Sequence, residues 1–482
     1  MRHNHGEAVM SSKPNIVFIM SDDHASHAMG CYGSRINTTP NLDRIADGGM
    51  RFDNCFCTNS ICTPSRASIL AGTYNHVNGV TTLSTPMDNR LQTFPKLLQQ
   101  HGYQTAVFGK WHLGTGPEHC PTGFDDWAVL PGQGLYHNPE FIFNGPDGGT
   151  RQNVHGYVTD IITDMSLDWL DSRDPQKPFC LLCHHKAPHR EWEPDEKHAA
   201  MYLNEEIPEP DTLYDDYSNR ASAAAAAEMR VGVHMEKGDL KCIINKSLPE
   251  GELRKWAYQR YIKDYLRVIA SIDDNVGRIL DWLDHENLTD DTVVIYTSDQ
   301  GFFLGDHGWY DKRFMYEESL RMPFIVRYPK EIRPQAQCGD IVLNVDFPSL
   351  VLDLAGVEVP GDFQGRSFRS QLRGVTPPDW RTSFYYRYWM HKAHHNVYAH
   401  YGVRTHDHKL IYYYSDGLGQ TGAIDESYEP EWELFDLKKD PNEMHNVYGD
   451  PGYATVARKL KDELHRLQDE VGDRRYALDT DD

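Results

Sequence analysis

No stretch of this chain is long and apolar enough to cross a bilayer, which takes about 20 consecutive apolar residues in a helix. Basic charge is scarce too. Lys and Arg total 48 against 71 Asp and Glu, a net charge of −23. A field of that sign excludes nucleic acid and acidic membrane surfaces as general partners. There is no disulfide framework. Nine cysteines, at 31, 55, 57, 62, 120, 180, 183, 242 and 338, are an odd count scattered over 482 residues. The pairs Cys55-Phe-Cys57 and Cys180-Leu-Leu-Cys183 invite a zinc site. The second pair lies in a run that reads as a buried strand, however, and no further CxxC completes a four-ligand set. Internal repeats are absent. Met1–Ser12 is polar and lacks the apolar segment of a secretory signal. The chain is therefore expected in the bacterial cytoplasm, or in the periplasm or outside the cell if a leader has been removed.

What remains is an ordinary globular composition, long enough for more than one domain. Asn15–Met20 is a short continuous apolar run, which fits a strand buried on both faces. Further strands are predicted over Thr105–Gly109, Pro178–Cys183, Thr292–Thr297 and Arg321–Tyr328. Helices are predicted over Asn41–Gly48, Leu91–His101, Tyr157–Asp171, Trp256–Glu286 and Asp346–Ala355. The alternation predicts an α/β fold around a mainly parallel sheet. Residues 190–254 are charged, Pro-bearing and irregular, with the helix-favouring run Ala221–Ala227, and read as a peripheral insertion. After about residue 370 the texture becomes aromatic and antiparallel: Phe384–Trp389, Tyr401–Arg404, Lys409–Tyr414 and Trp432–Phe435, with a closing helix Tyr453–Glu470. The expected organisation is a catalytic unit, 13–370, and a smaller C-terminal α/β subdomain, 371–482.

Two predicted strands end in acidic or amide groups, Asp22-Asp23 and Asp299-Gln300. Ligand sites of open α/β sheets gather at the carboxyl ends of strands. Three carboxylates and an amide oxygen there suit a hard cation, calcium before magnesium. The other strand ends carry basic groups: Lys110 and His112, then His185, Lys186 and His189. Lys312, flanked by Asp311 and Arg313, follows the glycine-rich stretch 301–308. Cys62-Thr63-Pro64-Ser65-Arg66 opens a helix whose N-terminus favours an anion, and Arg66 adds a fork of donors. Together these groups would bind a small tetrahedral oxyanion and stabilise charge developing on it.

Cys62-Thr-Pro-Ser-Arg66 resembles the Cys-x-Pro-Ser-Arg signature of type I sulfatases, and Gly109-Lys-Trp-His-Leu-Gly114 resembles their second signature. The resemblance runs from about residue 13 to Phe435–Val447 and the following residue. It implies an alkaline-phosphatase-like fold. It also implies that a maturation enzyme oxidises Cys62 to Cα-formylglycine, whose hydrated aldehyde attacks sulfur and later releases sulfate. Asp22, Asp23, Asp299 and Gln300, with the modified Cys62, match the family's calcium ligands. Lys110 and Lys312 match the lysines that hold sulfate oxygens, and His112 the histidine that contacts formylglycine. Many sulfatases have His-x-Pro-His after the corresponding strand, but here the frame reads Lys186-Ala-Pro-His189. The leaving-group acid is therefore expected to be Lys186, with His185 as the alternative.

The stretches 301–318 and 185–190 look like those of bacterial carbohydrate sulfatases. The implied substrate is a sulfated glycan, foremost the 6-O-sulfate of N-acetylglucosamine removed from a chain end. Asp311 and Arg313 are expected to grip sugar hydroxyls, with His189 and His395 beside them. His394, His395 and His400 either close the sugar pocket or sit in a solvated loop. Three alternatives stay open. One is another sugar sulfate, at O6 of a galactose-type ring or at O2 or O3. The second is a phosphate or phosphonate monoester hydrolase of the same superfamily. The third is a sugar-sulfate-binding protein whose cysteine is never converted.

Overall fold

The computed structural model describes residues 13–245 and 247–476. Met1–Ser12 and residues 477–482 lie outside them. A ten-stranded sheet forms the centre. Its middle strands, Asp126–Leu130, Gln104–Lys110, Phe179–His184, Asn15–Ser21 and Thr292–Ser298, all run parallel. Phe324–Arg327 is antiparallel to Thr292–Ser298, and Glu140–Phe143 is antiparallel to Asp126–Leu130. The central strands are apolar throughout because helices and loops cover both faces; Ile16, Val17, Phe18 and Ile19 have no exposed surface.

Register decides where the site forms. Ser21 pairs with Ser298, Met20 with His184, and Gly109 with His184. The four strands thus end at one level, and the residues after them converge. Gly109 is required at its position. It has φ +107°, and a Cβ there would lie 2.0 Å from the carbonyl oxygen of His184.

Element boundaries follow proline and charge. The predicted helix Leu91–His101 is formed over Phe94–Gln100, with Pro95 in its first turn. The predicted strand Arg321–Tyr328 shrinks to Phe324–Arg327, because Pro323 has no N–H to pair. The long helix starts at Glu250, ahead of the predicted Trp256, with Glu250 and Glu252 at its positive end, and runs to His285.

The C-terminal strands Ser383–Tyr388, His400–Thr405, His408–Tyr413 and Glu431–Asp436 form one antiparallel sheet. The helix Ala454–Val471 packs on it. A buried ion network ties this sheet to the loop after Lys312. Lys409 pairs with Glu317 at 3.0 Å and with Glu443 at 2.6 Å, and Arg404 pairs with Glu317 at 3.1 Å. Residues 190–254 are built into the molecule. Trp192, Ala223, Ala224 and Val231 are fully buried, and Tyr310 N–H donates to Met229 O at 2.9 Å. Among the described residues, no helix is long and apolar enough to cross a membrane.

Candidate active site

The helix Cys62–Ala71 is buried along its whole length and presents Cys62 at its N-terminus. Side chains pin its first turn. Thr63 Oγ1 donates to His112 O at 2.9 Å, Asn75 Nδ2 donates to Pro64 O at 2.8 Å, and the Ser65 hydroxyl donates to Asp299 O. Burial pushes the Cys62 thiol up to about 12, against the pull of Lys312. An unmodified thiol here stays protonated at neutral pH and is a poor nucleophile.

Carboxylate oxygens of Asp22, Asp23 and Asp299 lie within 4.8 Å of one another. So do ligand atoms of Asp22, Cys62 and His189. Gln300 Nε2 donates to Asp23 Oδ1 at 2.6 Å, while its Oε1 is buried without a partner. An amide turned the other way would offer that oxygen to a cation. Burial raises Asp23 to about 6 despite Lys312, and the neighbouring Asp299 and Asp311 push the same way. A hard divalent cation would relieve that crowding. The oxygen donors of Asp22, Asp23 and Asp299, with the orphaned amide oxygen of Gln300, fit calcium.

Three cations surround the carboxylates. Lys110 donates to Asp22 and to Gln133, and Lys312 Nζ donates to Asp23 Oδ2 at 2.7 Å. Arg66 Nε donates to Asp299 Oδ2 at 2.8 Å, and its Nη1 to Lys110 O at 2.7 Å; its buried Nη2 makes no hydrogen bond. Burial holds the Lys110 ammonium well below the usual lysine range. Burial lowers Lys312 as well, but Asp23 and its other neighbours more than reverse this and leave it raised. His112 falls well below the imidazole range through burial and then the nearby Lys110 and Arg66.

The two candidate acids separate. Lys186 lies over the Tyr136 ring at 4.5 Å and donates to Arg190 O at 3.2 Å. Burial brings it down to about 8, against Asp23 and Glu193. His185 Nε2 meets the Cys183 thiol at 3.6 Å, its Nδ1 has no hydrogen-bond partner, and burial takes it to about 3. Lys186 and His189 line a 340 Å³ cavity that His185 does not reach. His189 Nδ1 donates to Arg190 O at 2.6 Å, which leaves Nε2 facing Asp23 Oδ2 at 3.8 Å. His189 therefore borders both the carboxylate cluster and the cavity.

Asp311 Oδ1 accepts from Arg313 Nε at 3.0 Å, and Asp311 Oδ2 is 3.3 Å from His395 Nε2. Burial raises the Asp311 carboxyl, but Lys312 and then Arg313 overcome this and hold it well below the carboxylate range. Arg313 is fixed in turn by Tyr388 Oη at 3.3 Å. Asp23, His112, Asp311 and Arg313 all have positive φ. Such backbone costs on the order of 1–3 kcal/mol each and persists where the surroundings dictate it, commonly at functional sites. His400 is neither solvated nor in the pocket. It is fully buried, stacked on Tyr386 and Phe314.

The sequence reading missed Gln133, Arg190 and Asp239. Gln133 follows the parallel strand Asp126–Leu130, so the strand-end rule reaches it once that strand is recognised. Asp239 carries no local signal, because it comes from the segment 190–254.

The Sulfatase family profile matches residues 14–357, and that of the N-sulphoglucosamine sulphohydrolase C-terminal region matches residues 305–470. An N-acetylglucosamine-6-O-sulfatase of Bacteroides thetaiotaomicron is 43% identical over 508 residues, covering 96% of this chain and 88% of that protein. A solved structure described in complex with its substrate D-glucosamine-2-N,6-O-disulfate is 42% identical, with TM-score 0.88, covering 96% of this chain and 98% of that one. A phosphonate monoester hydrolase of Agrobacterium radiobacter shares the fold at TM-score 0.74 and 20% identity, over 95% and 96% of the two chains. By family match and by close relative, the chain belongs to the sulfatases, sulfuric ester hydrolases on an alkaline-phosphatase-like fold.

Proposed function

We propose that the protein removes the 6-O-sulfate of an N-acetylglucosamine at the end of a glycan chain. The carrying observation is that Lys312, bonded to the carboxylate cluster, stands between Asp311 and Arg313, which bond to each other, with Asp311 also beside His395. One backbone step thus joins a sulfate-holding group to two sugar-reading groups. The relative of 43% identity with this activity and the 42% identical structure with a 6-O-sulfated glucosamine support the reading. Calcium and Cα-formylglycine at position 62, made by a maturation enzyme, would supply the metal-activated nucleophile. Asp22, Asp23, Asp299 and Gln300 are the residues to hold that ion.

The chain's own groups divide the remaining work. Lys110 and Lys312 neutralise the sulfate oxygens. Arg66, locked by Asp299 and the Lys110 carbonyl, fixes both strand ends in register. His112, uncharged at neutral pH, faces position 62 through Thr63. Lys186 gives a proton to the departing sugar oxygen, because an alkoxide is a poor leaving group without one.

The test is a panel of monosulfated saccharides: 6-O-sulfated N-acetylglucosamine against 6-O-sulfated galactose and the 2-O and 3-O isomers. The first should be hydrolysed fastest, and matched aryl phosphate and phosphonate esters should be far poorer than aryl sulfate. A preference for another isomer sinks the assignment. Asp311→Ala should lower kcat/KM on the sugar substrate by roughly 10²-fold, the cost of losing a charged partner and leaving others unpaired. Its effect on a small aryl sulfate should be much smaller, and equal losses would mean that Asp311 does not read the sugar.

A further inference from the structure

We infer that Arg190 is a further specificity-determining residue, anchored by Asp239, that donates hydrogen bonds to a neutral acceptor oxygen on the hexosamine ring. The inference rests on the sugar-pocket reading above. Arg190 Nε donates to Asp239 Oδ1 at 2.9 Å and Nη2 to Asp239 Oδ2 at 2.6 Å. Asp239 is fully buried, and its Oδ2 also accepts from Glu236 N–H at 2.9 Å in the helix cap. The carboxylate is thereby held from two sides. The guanidinium lies over the Tyr310 ring at 5.2 Å, and Nη1 donates to His395 Nε2 at 3.5 Å. His395 can accept because its Nδ1 donates to Glu228 O at 3.0 Å, which places the lone pair on Nε2. Its Nε2 is also the atom beside Asp311. The run Asp239, Arg190 and His395 thus ends beside Asp311, which Arg313 and, through it, Tyr388 hold from the other side.

Arginine has five N–H groups. Two bind Asp239 and one reaches His395, and Tyr310 takes a further share of the fork, so only its remaining edge is uncommitted. Arg190 lines the 340 Å³ cavity with Lys186, His189 and Gln133, whereas Asp239 does not. Arg190 thus stands between its anchor and the cavity. Asp239 balances the charge, so the residue offers direction more than field. That favours a neutral oxygen, either a ring hydroxyl or the carbonyl of an N-acyl group.

The segment 228–231 explains why this part of the chain takes part. Glu228 N–H donates to His395 O at 2.7 Å, and Val231 N–H donates to Gly308 O at 2.8 Å. The segment stitches the His395 loop to the strand bearing Tyr310 and Asp311. The backbone of Arg190 serves the chemistry separately, since its carbonyl accepts from His189 and Lys186. A side-chain substitution leaves that carbonyl in place and isolates the reading role.

The experiment measures kcat/KM on 6-O-sulfated N-acetylglucosamine and on para-nitrophenyl sulfate, for wild type, Arg190→Met and Arg190→Met/Asp239→Asn. The double variant removes the buried charge together with its partner, so that a folding defect from an unpaired Asp239 does not mask the result. The sugar-to-aryl ratio should fall roughly 10- to 100-fold in both variants, mostly through KM. On 6-O-sulfated glucose, a loss that disappears assigns the N-acyl carbonyl, and a loss that persists assigns a ring hydroxyl. Turnover of the sugar by wild type tests the functional reading itself. With that turnover present, an unchanged ratio or equal losses on both substrates overturns the role of Arg190.

Discussion

Cys62→Ala should cut turnover by on the order of 10⁴-fold or more, the scale seen when a nucleophile is deleted, while affinity for the sugar sulfate changes only a few-fold. The groups that hold the sulfate do not depend on the sulfur. Lys312 is braced by Asp23, and Lys110 by Asp22 and Gln133. Calorimetric titration of the variant with 6-O-sulfated N-acetylglucosamine separates the two quantities. Loss of binding together with turnover would give Cys62 a structural role. The same reasoning bears on the wild type. A thiol raised to about 12 by burial is protonated at neutral pH, so an active enzyme should carry the aldehyde instead. Peptide mass spectrometry over Phe52–Arg66 reads this directly. Active protein holding only an unmodified cysteine would overturn the formylglycine proposal. Cys62→Ser should be inactive as well, because a sulfated serine has no internal route to expel sulfate.

Much of this site was legible because it lies where local pattern and topology agree. The apolar runs Asn15–Met20 and Thr292–Thr297 are buried parallel strands, and each is followed at once by its oxygen donors. Strand ends of a parallel sheet bring together residues distant in sequence, so Asp22, Lys110, Lys186 and Asp299 were predictable as a group. The peripheral strand Glu140–Phe143 and the edge strand Thr150–Asn153 were not. All four residues of Thr150–Asn153 are exposed and polar, and its pairing comes from its neighbour, not from its own composition. Segment 190–254 illustrates a different limit. Its charged, Pro-bearing texture reads as surface, yet Asp239 is fully buried because Arg190 compensates it across 49 residues. Such pairs leave no periodic trace in either partner. His400 shows the converse, a histidine in an aromatic stretch that belongs to the core, not the pocket.

Lys186→Met should lower kcat/KM on the sugar sulfate by about 10²–10⁴-fold, the usual worth of a general acid. The loss on para-nitrophenyl sulfate should be far smaller, because that phenolate departs without a proton. The pH dependence supplies a second, independent reading. Burial brings the Lys186 ammonium down to about 8, with Asp23 and Glu193 opposing. A general acid works in its protonated form, which for Lys186 prevails below that value. Activity on the sugar sulfate should therefore fall as pH rises through about 8, and Lys186→Met should remove that alkaline limb. The Tyr136 ring at 4.5 Å favours the charged form, so Tyr136→Leu should move the limb to lower pH. His185 cannot give the same profile. Its charged form is confined by burial to the region below about 3, and its ring rests on the Cys183 thiol. If Lys186→Met keeps both the alkaline limb and the sugar-to-aryl ratio, the proton comes from another group. His189, which also lines the cavity, would then be the residue to substitute next.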